Sequence, residues 1–123
     1  MAWSGESTIS SGVTVNSTTL QDASTSVTLN PGEEAHVQVQ ANWPVTPISN
    51  LIVQVQTSVD GGTDWDTEDE SYMSLVMDSG GADPAYRSFS VSEVKEFRLM
   101  YKLDTGTDAV VVTTTYVKNG VSL

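Results

Sequence analysis

Apolar residues recur at every second position in three separate segments, and no window of useful length repeats them at intervals of three and four. That period of two is the signature of strands with one buried face, and support for helix is poor. In residues 34–42, Ala35, Val37, Val39 and Ala41 share one face, and His36, Gln38 and Gln40 share the other. In residues 51–57, Leu51, Val53 and Val55 point inward and Gln54 and Gln56 outward. In residues 96–103, Phe97, Leu99, Tyr101 and Leu103 oppose Glu96, Arg98, Met100 and Lys102. Residues 109–117 are almost continuously β-branched, which predicts a strand covered on both faces or pairing in the middle of a sheet. Dense Ser and Thr work against helix interiors throughout.

Weaker strand patterns fall at 12–16, 24–29, 71–77 and 86–91. The breaks between them carry turn residues: Asn30-Pro31-Gly32, Trp43-Pro44 through Pro47, Asp60-Gly61-Gly62, Asp78 to Pro84, and Asp104-Thr105-Gly106. The expectation is one all-β domain, an antiparallel β-sandwich of about eight strands spanning residues 12–123. The last turn is expected to close 96–103 and 108–117 into a hairpin, the best-ordered pair in the domain. Residues 1–11 hold Trp3 but no sustained pattern, and they read as a flexible N-terminal arm. A chain of 123 residues has room for a single core.

Charge is segregated along the chain. Twelve of the 16 acids precede Arg87, the first Lys or Arg, so residues 1–86 carry −12. The remaining four acids face all five cations, Arg87, Lys95, Arg98, Lys102 and Lys118, so residues 87–123 carry +1 and the whole chain −11. Such a surface repels phosphate backbones and anionic lipid. With no basic stripe, nucleic-acid binding is disfavoured. No apolar run approaches the ~20 residues that cross a bilayer. The N-terminus, Met1-Ala2-Trp3-Ser4-Gly5-Glu6, has neither the basic nor the apolar region of a signal peptide. Cysteine is absent, so no disulfide or thiolate metal site forms.

No constellation in the sequence carries catalysis. His36 is the sole histidine, on the polar face of a strand, and no Gly-x-Ser-x-Gly accompanies it. Gly61-Gly62 and Gly80-Gly81 are not followed by Lys-Ser or Lys-Thr, so there is no phosphate loop. The acid run Asp64 to Glu70 fails as a calcium loop in either register: counted from Asp60 the sixth position is Trp65, and counted from Asp64 it is Asp69, where Gly is needed. A glycosidase needs two carboxyls about 5–9.5 Å apart across a cleft, and acids in exposed loops offer no such cleft. No cofactor is expected. Ser58-Val59-Asp60-Gly61-Gly62-Thr63-Asp64-Trp65 resembles an Asp-box, with Asp64 in the Thr position. In that motif the Asp and Gly shape a hairpin loop and the Trp packs beneath it. Trp43, Trp65 and the four tyrosines read as core or loop-plug residues rather than as a sugar-binding platform.

Three stretches together carry a family resemblance: Asn30-Pro31-Gly32-Glu33-Glu34-Ala35-His36-Val37-Gln38-Val39, the turn from Ser58 to Trp65, and Phe97 to Leu103 followed by Val110 to Val117. Over residues 12–120 the chain resembles small bacteriophage capsid-decoration (cement) proteins. The resemblance implies an Ig-like or jelly-roll sandwich made in the host cytoplasm and bound, as a homotrimer at three-fold positions, to a shell of major capsid protein. It supplies no catalytic residue. Similar layouts occur in phage tail or baseplate proteins and in glycan- or cell-surface-binding modules. Within the capsid reading, Trp3, Arg87, Lys95, Arg98 and Lys102 are the expected partner contacts, and removing residues 1–10 is expected to lower shell occupancy without unfolding the domain.

Overall fold

A computed structural model of the chain describes residues 5–44, 47–66, 71–78 and 84–120. Trp3 and the acids Glu68, Asp69 and Glu70 lie outside the described residues. Eight strands follow in order: β1 (Ser7–Val15), β2 (Gln21–Thr28), β3 (Glu33–Asn42), β4 (Leu51–Ser58), β5 (Met73–Met77), β6 (Ala85–Ser92), β7 (Glu96–Leu103) and β8 (Val110–Gly120). They form two antiparallel four-stranded sheets, ordered β1-β8-β3-β6 and β2-β7-β4-β5. Strands pair first with last, second with seventh, third with sixth and fourth with fifth. This is the strand order of a jelly roll: one long hairpin with its tip between β4 and β5, rolled until its two layers face each other.

Alternation explains the core. Ala35, Val37, Val39 and Ala41 of β3 face Leu51, Val53 and Val55 of β4 and the Phe97–Leu103 face of β7 across the sandwich, all fully or almost fully buried. Each buried Val, Leu or Phe among them contributes about 1.5–3 kcal/mol by leaving water, and each Ala methyl less. β8 pairs with β1 on one side and β3 on the other, the central position that its β-branched run predicted.

Two sequence expectations are corrected. β7 and β8 do not form a hairpin: they lie in different sheets, and residues 104–109 arch over the core between them. A strand's inward alternation is the same whether its successor pairs beside it or faces it across the core, so periodicity could not separate the two. The supposed arm is also shorter than residues 1–11. β1 begins at Ser7, pairs with Tyr116 from there, and buries Ile9 and Ser10. Deleting residues 1–10 would strip both from the core, so it cannot spare the domain as expected. The register of β1 shifts twice, after Thr8 and after Ser10, and Gly12 takes φ 61°. These irregularities hid the strand from a search for strict alternation.

Candidate functional site

The connection between β4 and β5 folds back over the outer face of the β2-β7-β4-β5 sheet. It begins with the turn predicted from the Asp-box-like residues. The Ser58 hydroxyl donates to Asp60 Oδ1 (2.8 Å) and accepts from the Gly62 amide (3.0 Å). Asp60 Oδ1 also accepts from the amides of Thr63 (3.1 Å) and Asp64 (3.0 Å). Those donors, the Asp64 amide foremost and then the Ser58 hydroxyl, hold the Asp60 pKa at about 2. Asp64 moves the other way, raised first by the hydrogen bond its side chain shares with Asp60 and then by the charge of that carboxylate. Gly62 has φ 88°, and a Cβ there would sit 3.1 Å from Glu96 Oε2 and 3.4 Å from the Trp65 ring. The Trp65 indole N–H donates to Gly62 O (3.1 Å), so the ring closes the loop as the motif implies.

Past Trp65 the chain runs beside β4 where β5 no longer reaches. The Thr57 amide and hydroxyl donate to Asp66 Oδ2 (3.0 and 2.6 Å), and the Asp66 amide donates to Thr57 O (3.1 Å). This places Trp65 over the Arg98 guanidinium, 4.5 Å from carbon to ring centre. Arg98 Nε and Nη2 both donate to Gln56 Oε1 (3.1 and 2.9 Å), and Gln56 Nε2 donates to Gln54 Oε1 (2.9 Å). Gln54 and Gln56, expected to face water, are therefore buried, each 4% exposed. Their burial is tolerable because each polar group meets another across the register that sets Gln56 opposite Arg98.

The remaining expected contact residues are dispersed. Arg87 is exposed on β6, in the other sheet. Lys95 lies in the β6–β7 turn with its ammonium 3.5 Å from Val59 O. Lys102 is half-buried on the outer face of β7. Arg87 therefore lies in the opposite layer from Arg98 and Lys102, which share β7.

At the far end of the sandwich, acids again hold loops. Asp108 Oδ2 accepts from the amides of Ile48 (2.7 Å) and Ser49 (2.8 Å), which lowers its pKa, the Ile48 amide contributing most. Asp104 accepts from the Asn50 amide (2.8 Å) and side chain (3.0 Å). The Ser49 hydroxyl donates to Thr105 O, and the buried Trp43 donates its indole N–H to Ser49 O (2.9 Å). The β3–β4 loop is thus clasped to the β7–β8 arch, and Trp43 plugs the end as its aromatic character suggested.

Two clefts open on the surface of the described residues. One, of about 420 Å³, lies between the β2–β3 and β6–β7 turns, floored by Leu29 and Val94 with Glu33, Glu93 and Lys95 around it. Glu93 adopts φ 62°. The other, about 170 Å³, is shallow and holds His36, whose Nδ1 lies 3.3 Å from Ser90 Oγ. Among the described residues no three His, Cys, Asp or Glu side chains converge as a metal site.

No family model matches the chain, and no curated protein matches it. Among solved structures, the chain is similar to one described by the words "Bacillus endospore appendages form a novel family of disulfide-linked pili", with a TM-score of 0.53 and 13% identity. The match covers 96% of this chain and 88% of that one, and it is a likeness of fold.

Proposed function

We propose that the chain is a structural, non-catalytic protein of a bacteriophage capsid exterior, a decoration subunit that binds a shell of major capsid protein as a homotrimer and stabilises it. One observation carries the inert half of this reading. Asp60 and Asp108 are lowered by amides of the loops they hold, and Asp64 is raised by Asp60 beside it. The shifts of these three acids thus follow from loop construction. Jelly rolls recur in viral capsid and lectin domains, which supports the reading by analogy only. A charge of −11 keeps free subunits apart, and docking onto a complementary shell sums many modest contacts.

Splitting purified particles into heads and tails tests the proposal. The protein should travel with heads, and adding it to shells lacking it should raise the temperature at which they rupture. Recovery with tails, or shells that rupture at the same temperature with and without it, would refute the capsid role. A second reading, a subunit that polymerises with its own copies, draws on the likeness to the endospore appendage chain. It predicts filaments from the purified protein under electron microscopy. With no cysteine, such filaments could not be disulfide-linked.

A further inference from the structure

The β2–β3 and β6–β7 turns both cross from one sheet to the other, at the same end of the sandwich. The cleft of about 420 Å³ lies between these two crossovers, lined by residues 28–33 and 93–95, all of them described. Its floor is apolar. Leu29 belongs to the core at 4% exposed, and Val94 packs against that core. A cleft of this size takes the side chain of a partner residue.

Of the charged residues around it, two are already engaged. Glu33 Oε1 accepts from the Asn30 amide (2.7 Å) and lies 3.8 Å from the Lys118 ammonium. Lys95 donates to Val59 O on the β4–β5 connection (3.5 Å). Glu93 differs: it is exposed, and its carboxylate has no hydrogen bond or ion pair with any described residue. The register pairs Glu34 with Ser92, so Glu33 and Glu93 are the next residues at the same strand ends. Glu93 also holds φ 62°, a conformation that Gly adopts freely and other residues adopt at a cost. The chain thus keeps an unmatched carboxylate beside an apolar floor, at a position where the backbone favours Gly. Strain of this kind collects at binding sites.

We infer that the cleft receives an Arg side chain of the shell protein, its alkyl stem over Leu29 and Val94 and its guanidinium against the Glu93 carboxylate. The apolar floor suits a methylene stem with a charged head. A guanidinium is weakly hydrated and matches a carboxylate with paired donors. The field of a chain at −11 draws cations to it. A second copy of this chain is the poorer occupant: it could offer Arg87, exposed on β6, but it brings −11 with it. That the Arg belongs to the shell protein rests on the capsid reading; the chemistry of the cleft does not.

The test titrates the full chain with the peptide acetyl-Gly-Ser-Arg-Ser-Gly-amide and follows backbone amides by nuclear magnetic resonance. Signals of residues 29–33 and 93–95 should shift and saturate. The same peptide with citrulline, which keeps the shape and loses the charge, should bind about tenfold more weakly, and so should the Arg peptide to Glu93→Gln. Asp78→Asn, at an exposed acid outside the cleft, should leave binding unchanged, which separates the cleft from the general pull of an acidic protein. No saturating shift, shifts centred elsewhere, equal binding of the citrulline peptide, or equal loss in Asp78→Asn and Glu93→Gln would overturn the inference. In parallel, Glu93→Gln should bind empty shells about tenfold more weakly than the unmodified protein. Equal shell binding by the two would overturn the assignment to the shell protein. Self-association in sedimentation that is lost in Arg87→Ala and Glu93→Gln alike would place a second copy in the cleft and overturn it too. Failure of the unmodified protein to bind shells would defeat the capsid reading alone, since the peptide still decides the cleft.

Discussion

Replacing Tyr101 with Phe removes a hydroxyl that ties the two layers together through the core. Tyr101 belongs to β7, is fully buried, and its hydroxyl lies 3.0 Å from Ser10 Oγ on β1 and 2.6 Å from Thr114 Oγ1 on β8. Ser10 and Thr114 are themselves cross-strand partners, 3% and 0% exposed, so neither hydroxyl has water to fall back on. Two lost hydrogen bonds at about 1 kcal/mol each set the cost near 2 kcal/mol, and the stranded hydroxyls add to it rather than relieve it. With a urea dependence of about 1.5 kcal/mol per molar, the unfolding midpoint should fall by a little over ~1 M. The triple change Tyr101→Phe, Ser10→Ala and Thr114→Val removes every partner together and should recover stability to within about 1 kcal/mol of the original. A Tyr101→Phe variant with an unmoved midpoint, or a triple variant that costs the sum of its single changes, would refute the argument. The same burial raises the Tyr101 pKa, opposed by its two hydrogen bonds. Because the folded value lies above the unfolded one, this stabilising contribution is complete below pH 10 and disappears as pH climbs through the folded value. Alkaline unfolding should therefore begin earlier in the native protein than in the Phe variant, each measured relative to its own stability at neutral pH.

Gly62→Ala should destabilise by about 1–2 kcal/mol from its left-handed backbone alone, with the approach to Glu96 in addition, as read by thermal melting. Gly61→Ala, equally left-handed but with open space around it, should cost less and separates backbone from contact. Arg98→Ala should cost about 1–2 kcal/mol and raise proteolysis within residues 59–66, because it releases Trp65 and leaves Gln56 buried without its donors. Acid should loosen both ends of the sandwich. Asp60 and Asp108 have lowered pKa values, so the stability they contribute is present above the unfolded carboxylate value near pH 4 and is lost as pH falls through their folded values, about 2 for Asp60. Asp64, raised, works in the opposite sense. Asp108→Asn should lower stability at pH 7 and flatten the acid limb of the unfolding curve.

The layers of this fold were legible in the sequence, and their connections were not. Ala35 to Ala41, Leu51 to Val55 and Phe97 to Leu103 are buried as their alternation requires. The Ser58–Trp65 turn was legible because its hydrogen bonds are local, with Asp60 reaching only to Ser58, Thr63 and Asp64. What stayed hidden depends on register between distant strands. Gln54 and Gln56 look like solvent-facing residues until β7 sets Arg98 against Gln56 and the returning loop lays Trp65 on top. Tyr101 reads as one more core residue until β1 and β8 bring Ser10 and Thr114 to its hydroxyl. The edge position of β5 is a property of strand order, which alternation does not encode.

Five cations cannot neutralise 16 acids, so most carboxylates in this chain have no cation to meet. The fold gives several of them backbone amides instead: Asp60 within its own turn, Asp66 on β4, Asp104 and Asp108 across from the β3–β4 loop. A charged acceptor bonded to an amide is stronger than a neutral pair, and it fixes loop shape without a cross-linking disulfide. The same carboxylates lie near the surface, so they also contribute to the long-range field. Stability and repulsion between free copies thus come from one set of residues. Substituting those acids to make the surface less negative should therefore loosen the loops first, whereas neutralising exposed acids without amide partners should change association and leave the fold intact.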